Sequence, residues 1–203
     1  MAGGGAGGLL AAARLGGQMT ADIGVFEVDE LWLDRVLPDL HPRLVVLTNL
    51  FRDQLDRMGE VDQVADRWEE IIAELSADSE LVVCADDPRL ARLGDGRRSV
   101  AWFGVTATEA DLPPSADIPD CRRCGAPLVI ERSHIGHLGA WHCPSCGDAR
   151  RTPDLVAEAI EVVGTDRVRF IAVDRSSGTP TPASAPIELT LPGRFNAANA
   201  AAA

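Results

Sequence analysis

The spacing Cys121-Arg122-Arg123-Cys124 followed by Cys143-Pro144-Ser145-Cys146 constrains this chain more than any other feature. Each C-x-x-C pair can put two thiolates on one ion. The 18 residues between the pairs are enough to turn back and deliver the second pair. Four thiolates at this spacing suit tetrahedral Zn²⁺ with no open position, a site that holds a fold together and does no chemistry. Gly125 and Gly147 each follow a second cysteine, where a tight turn needs positive φ. The other reading is two disulfides or a redox pair. Nothing in the Gly/Ala-rich opening residues reads as a secretory signal, which weighs against disulfides. The spacing therefore predicts a zinc ribbon over 117–151, with a hairpin of Leu128–Glu131 and Leu138–His142 between the knuckles. Function has to be read elsewhere.

Many ribbons bind nucleic acid, and charge decides that point here. A formal charge of -12 and a pI near 4.7 leave no general basic face for phosphate. No apolar run approaches the ~18–20 residues needed to span a bilayer, so no transmembrane segment is expected. A hydrophobic content of 46% supports a real core, and 203 residues fit one domain carrying a small insert. Residues 1–20 read as a flexible start and 21–203 as the domain itself.

The remaining pattern is α/β. Ile23–Val28 is a strand candidate, and 30–40 has helical spacing up to Pro38. Leu44–Leu47 is a continuous apolar run with the mark of a central parallel strand. Val61–Leu75 carries Val61, Val64, Trp68, Ile71, Ile72 and Leu75 on one helical face. Glu80–Ala85 is a third strand, with Cys84 a buried thiol. Asp87 and Pro88 then open a short helix to Leu93 as N-cap and first helical residue. Ser99–Phe103 is a fourth strand. Such alternation predicts a mostly parallel sheet flanked by helices. After a Pro-rich linker over 109–120 and the ribbon, the β-leaning segments Leu155–Val163, Val168–Val173 and Ile187–Leu191 predict a β-rich C-terminal part. Ser176–Pro186 reads as a loop, and a helix begins near Arg194.

Candidate chemistry gathers where strands end. Glu27, Asp29 and Glu30 could hold Mg²⁺ through oxygen ligands, or could cap the next helix. Asp53, Gln54 and Asp56 divide the same way; Arg52 and Arg57 could meet phosphate or pair with neighbouring acids. Asn196 and Asn199 share a helix face and could read an adenine edge or cap a helix. His134, His137 and His142 lie in or beside the ribbon. With four thiolates already at ribbon spacing, surface or supporting roles suit them better than ligation. No G-x-x-x-x-G-K-[ST] phosphate loop occurs in the chain.

Taken together, three segments resemble the central domain of the Mur ligase family. These are Val25-Phe26-Glu27-Val28-Asp29-Glu30, Leu47-Thr48-Asn49 through Asp53-Gln54-Leu55-Asp56-Arg57, and Gly193-Arg194-Phe195-Asn196 through Asn199. The inserted Cys₄ ribbon with Gly136-His137-Leu138-Gly139 narrows the resemblance to the MurT-type subfamily, the ligase subunits of lipid II isoglutaminyl synthase. That resemblance implies ATP-dependent amidation of the D-Glu α-carboxylate of lipid II to D-isoglutamine through an acyl phosphate. Ammonia would come from a GatD-type glutamine amidotransferase subunit. It further implies Glu27 as a Mg²⁺ ligand, Asn199 at adenine with Asn196 in support, and Cys121, Cys124, Cys143 and Cys146 on structural zinc. A cytoplasmic protein working at the inner membrane face follows from the same substrate.

Two departures stand out. Amino-acid-adding Mur ligases carry His where Gln54 stands, and a carbamylated Lys on the following helix. Here that helix has no Lys, and Glu69 and Glu70 are the acids nearest the place, with Glu69 the candidate to supply the missing negative charge. The family's phosphate loop and C-terminal domain are also outside these 203 residues, so the chain alone is expected not to turn over. The competing readings are an amino-acid-adding Mur-type ligase and a non-catalytic zinc-ribbon interaction module.

Overall fold

A computed structural model describes residues 18, 21–50, 60–106 and 118–203. Helix α1 (Leu33–Leu40) is followed by strand β1 (Leu44–Leu47), helix α2 (Glu60–Glu74) and strand β2 (Glu80–Cys84). A 3₁₀ turn (Pro88–Leu90) leads to β3 (Val100–Val105), the hairpin β4 (Val129–Ile135) and β5 (Leu138–His142), then β6 (Leu155–Val163), β7 (Arg167–Asp174), β8 (Ala183–Leu189) and helix α3 (Arg194–Ala201). One six-stranded sheet runs in the order β1-β2-β3-β6-β7-β8, and β4 with β5 forms a separate two-stranded sheet. The pairs β1–β2, β2–β3 and β3–β6 are parallel, whereas β6–β7 and β7–β8 are antiparallel. The parallel half and the β-rich C-terminal part are thus one continuous sheet, joined at β3–β6.

The apolar runs make the core. Leu81, Val83 and Phe103 are buried on the sheet beneath the inner face of α2, where Val64, Ala65, Trp68 and Ile72 lie. That face repeats at helical spacing, as the sequence predicts. The Trp68 indole also donates to the Glu30 carbonyl at 3.1 Å, tying α2 to the segment before α1. Leu33 and Leu37 of α1 join the same cluster. Asp87 caps the 3₁₀ turn through the Arg89 N–H at 2.9 Å, with Pro88 at its start.

Four expectations change. Ile23–Val28 is not a strand: Ile23 is 75% and Val25 93% exposed, and neither pairs with the sheet among the described residues. An apolar run becomes a strand only when it finds a backbone partner and a covered face. For the same reason β1 is an edge strand of the described sheet rather than a central one, with Leu44 and Val46 exposed. The helix expected from Asp87 to Leu93 is a 3₁₀ turn of three residues. Part of the Ser176–Pro186 loop is β8, which starts at Ala183 because β7 offers partners from Val168 to Asp174. Pro186 is tolerated there because β8 is an edge and a missing N–H breaks no ladder on its open side.

Candidate functional site

Both knuckles have the same backbone design. The Gly125 N–H donates to Cys121 O at 2.8 Å and the Gly147 N–H to Cys143 O at 3.0 Å. Both glycines have positive φ, +73° and +75°, the conformation their position demands. Cys121 N–H closes onto Ala126 O and Cys143 N–H onto Asp148 O. The result brings four Sγ atoms within 4.8 Å of one another. Cys121 and Cys146 sulfurs lie 3.7 Å apart, Cys124 and Cys143 sulfurs 3.5 Å. A tetrahedral ion with Zn–S bonds of ~2.3 Å puts its sulfurs ~3.8 Å apart, so this donor set fits zinc in spacing and chemistry. Backbone N–H groups, that of Cys146 first, bring the Cys143 thiol down to about 7 against desolvation. The Asp148 N–H lowers Cys146, yet desolvation and the crowded sulfurs push it up to about 12.

The ribbon is seated on the carboxyl end of β2. Its Trp141 indole donates to Ala85 O at 3.1 Å, and the Gly139 N–H donates to Asp86 O at 2.9 Å. Asp86, fully enclosed, takes the Val105 N–H at 2.9 Å on one oxygen and the Arg150 Nε–H at 2.6 Å on the other. Burial pushes the Asp86 carboxyl above its ordinary value, against the opposing charges of Arg150 and His134. Asp87 accepts the Leu50 N–H at 2.8 Å, and His137 Nε2 lies 3.4 Å from its other oxygen. Leu50 ends the stretch after β1, so a single carboxylate joins the ribbon to two strand ends. His134 and His137 are therefore not surface residues; they are buried in this seam, and neither belongs to the thiolate cluster. His142 lies 3.0 Å from Glu131 across the hairpin.

Arg122, between the first two cysteines, donates to Asp66 at 2.7 Å and Glu69 at 2.9 Å on α2. Burial opposes its charge, but those bonds outweigh the cost and hold the guanidinium above its ordinary value. Glu69 is thus a docking residue for the ribbon in this structure.

The other expected site residues are apart from the ribbon. Glu27 is exposed, with no side-chain bond among the described residues. Asp29 caps instead, accepting the Leu31 N–H at 3.0 Å. Asn196 donates to Pro192 O at 2.6 Å and secures the start of α3, which packs on β3, β6 and β7; Asn199 is exposed. Asp53, Gln54, Asp56, Arg52 and Arg57 lie outside the described residues. The pairing of Asp86 with Arg150 was missed in the sequence, although two consecutive acids directly after a buried strand are its one local signal.

An open sheet whose parallel strands end in polar residues is an α/β domain of the kind whose carboxyl edge can take a ligand. The profile of the Mur ligase middle domain matches residues 8–118, and the chain belongs to that family. It is 30% identical over 89% of its length to the lipid II isoglutaminyl synthase (glutamine-hydrolyzing) subunit MurT of Staphylococcus aureus (strain COL), and 29% identical over 90% to that of Streptococcus pneumoniae (strain ATCC BAA-255 / R6). It spans 38% and 39% of those proteins. The UDP-N-acetylmuramate–L-alanine ligase of Rubrobacter xylanophilus is 38% identical over 43% of the chain, covering 20% of that enzyme. Among solved structures, a pseudomurein peptide ligase type C from Methanothermus fervidus superposes with a TM-score of 0.67 at 27% identity, over 84% of this chain and 31% of the other.

Proposed function

We propose that the chain is the middle part of a carbon–nitrogen ligase subunit that amidates lipid II. In this reading ATP activates the D-Glu α-carboxylate as an acyl phosphate, and ammonia from a GatD-type glutaminase displaces the phosphate to leave D-isoglutamine. The observation that carries it is the reach of the similarity. An alignment over 89% of this chain must include the ribbon, whereas the family profile stops at 118, before the first cysteine. The ribbon thus falls within the similarity to MurT subunits and outside the part shared across the family.

Composition supports the amidating reading over the amino-acid-adding one. All 19 basic residues are arginine, so no lysine of this chain can be carbamylated or meet a phosphate. Glu27 is the carboxylate free to take Mg²⁺, Asn199 the amide free to meet adenine, and Asn196 holds the helix that carries it. Bound Mg²⁺-ATP would supply the phosphoryl group and screen its charge. Cys121, Cys124, Cys143 and Cys146 hold a structural Zn²⁺. The non-catalytic module reading is disfavoured by the match of the α/β part itself to a ligase domain.

Disruption of the gene in its own host, followed by mass spectrometry of wall stem peptides, tests this directly. D-isoglutamine should give way to D-glutamate, with restoration by the wild-type gene and not by a Glu27→Gln copy. Unchanged amidation in the disrupted strain would refute the reading. The purified 203-residue chain with ATP, glutamine and a GatD-type partner is expected to give no amidated lipid II.

A further inference from the structure

A second concave site lies where the ribbon meets the sheet, distinct from the thiolate cluster. It is a cavity of about 300 Å³ between the end of β3, the ribbon hairpin and the 150–153 segment that leads into β6. Its polar lining is Thr106, His134, Arg150, Arg151, Thr152 and Arg175. The chain carries 31 acids against 19 basic residues, yet no acid is among the described residues that line this cavity. Three arginines, a histidine and two threonines thus line one space, with each arginine's carboxylate partner lying outside the lining.

We infer that this cavity binds a small phosphorylated anion through the arginine donors that their carboxylate partners leave unused. The guanidiniums are held in place before any ligand arrives. Arg150 sets both Nε and Nη2 against Asp86 Oδ1 at 2.6 Å and also donates from Nη2 to Val105 O at 3.0 Å, which leaves Nη1. Arg151 pairs with Asp95 at 3.3 Å and Asp148 at 3.4 Å, and its guanidinium lies 6.0 Å from the Trp102 ring centre. Arg175 pairs with Glu158 through Nη2. None of these carboxylates lines the cavity, so they orient the arginines from behind. A guanidinium has five N–H donors, and each of these three keeps some uncommitted. Planar forks of this kind match phosphate oxygens, and a partly desolvated setting strengthens the bonds they make. The volume sits at the small end of ligand cavities, enough for a phosphate with a modest substituent. Position agrees as well: the end of β3 belongs to the edge where open α/β sheets take ligands.

Inorganic phosphate is the probe. Isothermal titration of the purified chain at slightly alkaline pH, without added magnesium, should show saturable binding beyond that of sodium chloride or sodium acetate at matched ionic strength. Arg151→Gln and Arg175→Gln should each weaken it roughly tenfold, the scale of one charge-assisted hydrogen bond. Asn199→Ala, at the proposed adenine end, should leave it unchanged, so failure of the nucleotide assignment and failure of this one are separable. Backbone amide shifts at Thr106 and Thr152 on phosphate addition locate the site without any substitution. Absence of saturation, equal binding of acetate, wild-type affinity in both arginine variants, or shifts confined to other residues would each overturn the proposal.

Discussion

A methyl group on Gly104 would have nowhere to go. A Cβ there would lie 2.8 Å from Asp86 Oδ1, 2.9 Å from Arg150 Nη2 and 3.1 Å from Pro153 Cγ. The buried ion pair rests directly on the backbone of β3, and only a residue without a side chain allows it. Gly104→Ala should destabilise the fold by ~1–3 kcal/mol, the cost of overpacking, seen as a lower urea midpoint with an unchanged slope. Trp141 is the matching case on the ribbon. Its ring is buried and its N–H has one partner, Ala85 O. Trp141→Phe keeps most of the apolar surface and strands that carbonyl, so a loss of about 1–2 kcal/mol is expected in the same titration.

Elements show two different ways of holding strands together. The ribbon hairpin has a small apolar cluster of Leu128, Ile130 and Trp141 with Cys121 and Cys143, which by itself is thin for an independent fold. A metal on the four thiolates would supply the rest. Elemental analysis of the purified chain should find about one zinc, and Cys146→Ser or a strong chelator should remove it and lower Tm. The β7–β8 pair has a backbone ladder and adds surface charge to it: Glu188 meets Arg169 at 2.6 Å and Arg167 at 3.2 Å. Those bonds, Arg169's first, hold the Glu188 carboxyl below its ordinary value. A depressed carboxyl contributes stability above its unfolded pKa and loses it as pH falls through the folded one. Glu188→Gln should therefore flatten the acid limb of a Tm-versus-pH profile below the usual carboxylate range and leave its alkaline side unchanged in shape.

At the scale of the molecule, the ribbon is joined to the rest of the domain by polar links: Asp86 and Asp87 at the end of β2, Trp141 on Ala85 O, and Arg122 on Asp66 and Glu69 of α2. Because Asp87 also takes the Leu50 N–H, the consequence of losing zinc should reach the end of β1. Hydrogen exchange after zinc removal should rise at Gly139 and at Leu50 together, while the Val64–Ile72 face of α2 keeps its protection. Protection at Leu50 that survives full unfolding of the ribbon would show that the two halves are independent.

How much of this could be read in advance depends on how far apart the interacting residues are in the chain. Knuckles, the amphipathic face of α2, the Asp87 cap and the apolar strands β2 and β3 are written in residues a few positions apart, where periodicity and turn chemistry are decisive. Spacing alone likewise marked the four cysteines, because metal ligation imposes it. Glu69 facing Arg122, Arg150 on Asp86 and Trp141 at Ala85 join positions 53, 64 and 56 residues apart, and no local pattern encodes such pairs. Whether Ile23–Val28 or Ala183–Leu189 became a strand was likewise settled by the tertiary fold. A backbone ladder needs a neighbour, and the availability of a neighbour is a property of the assembled sheet rather than of the segment.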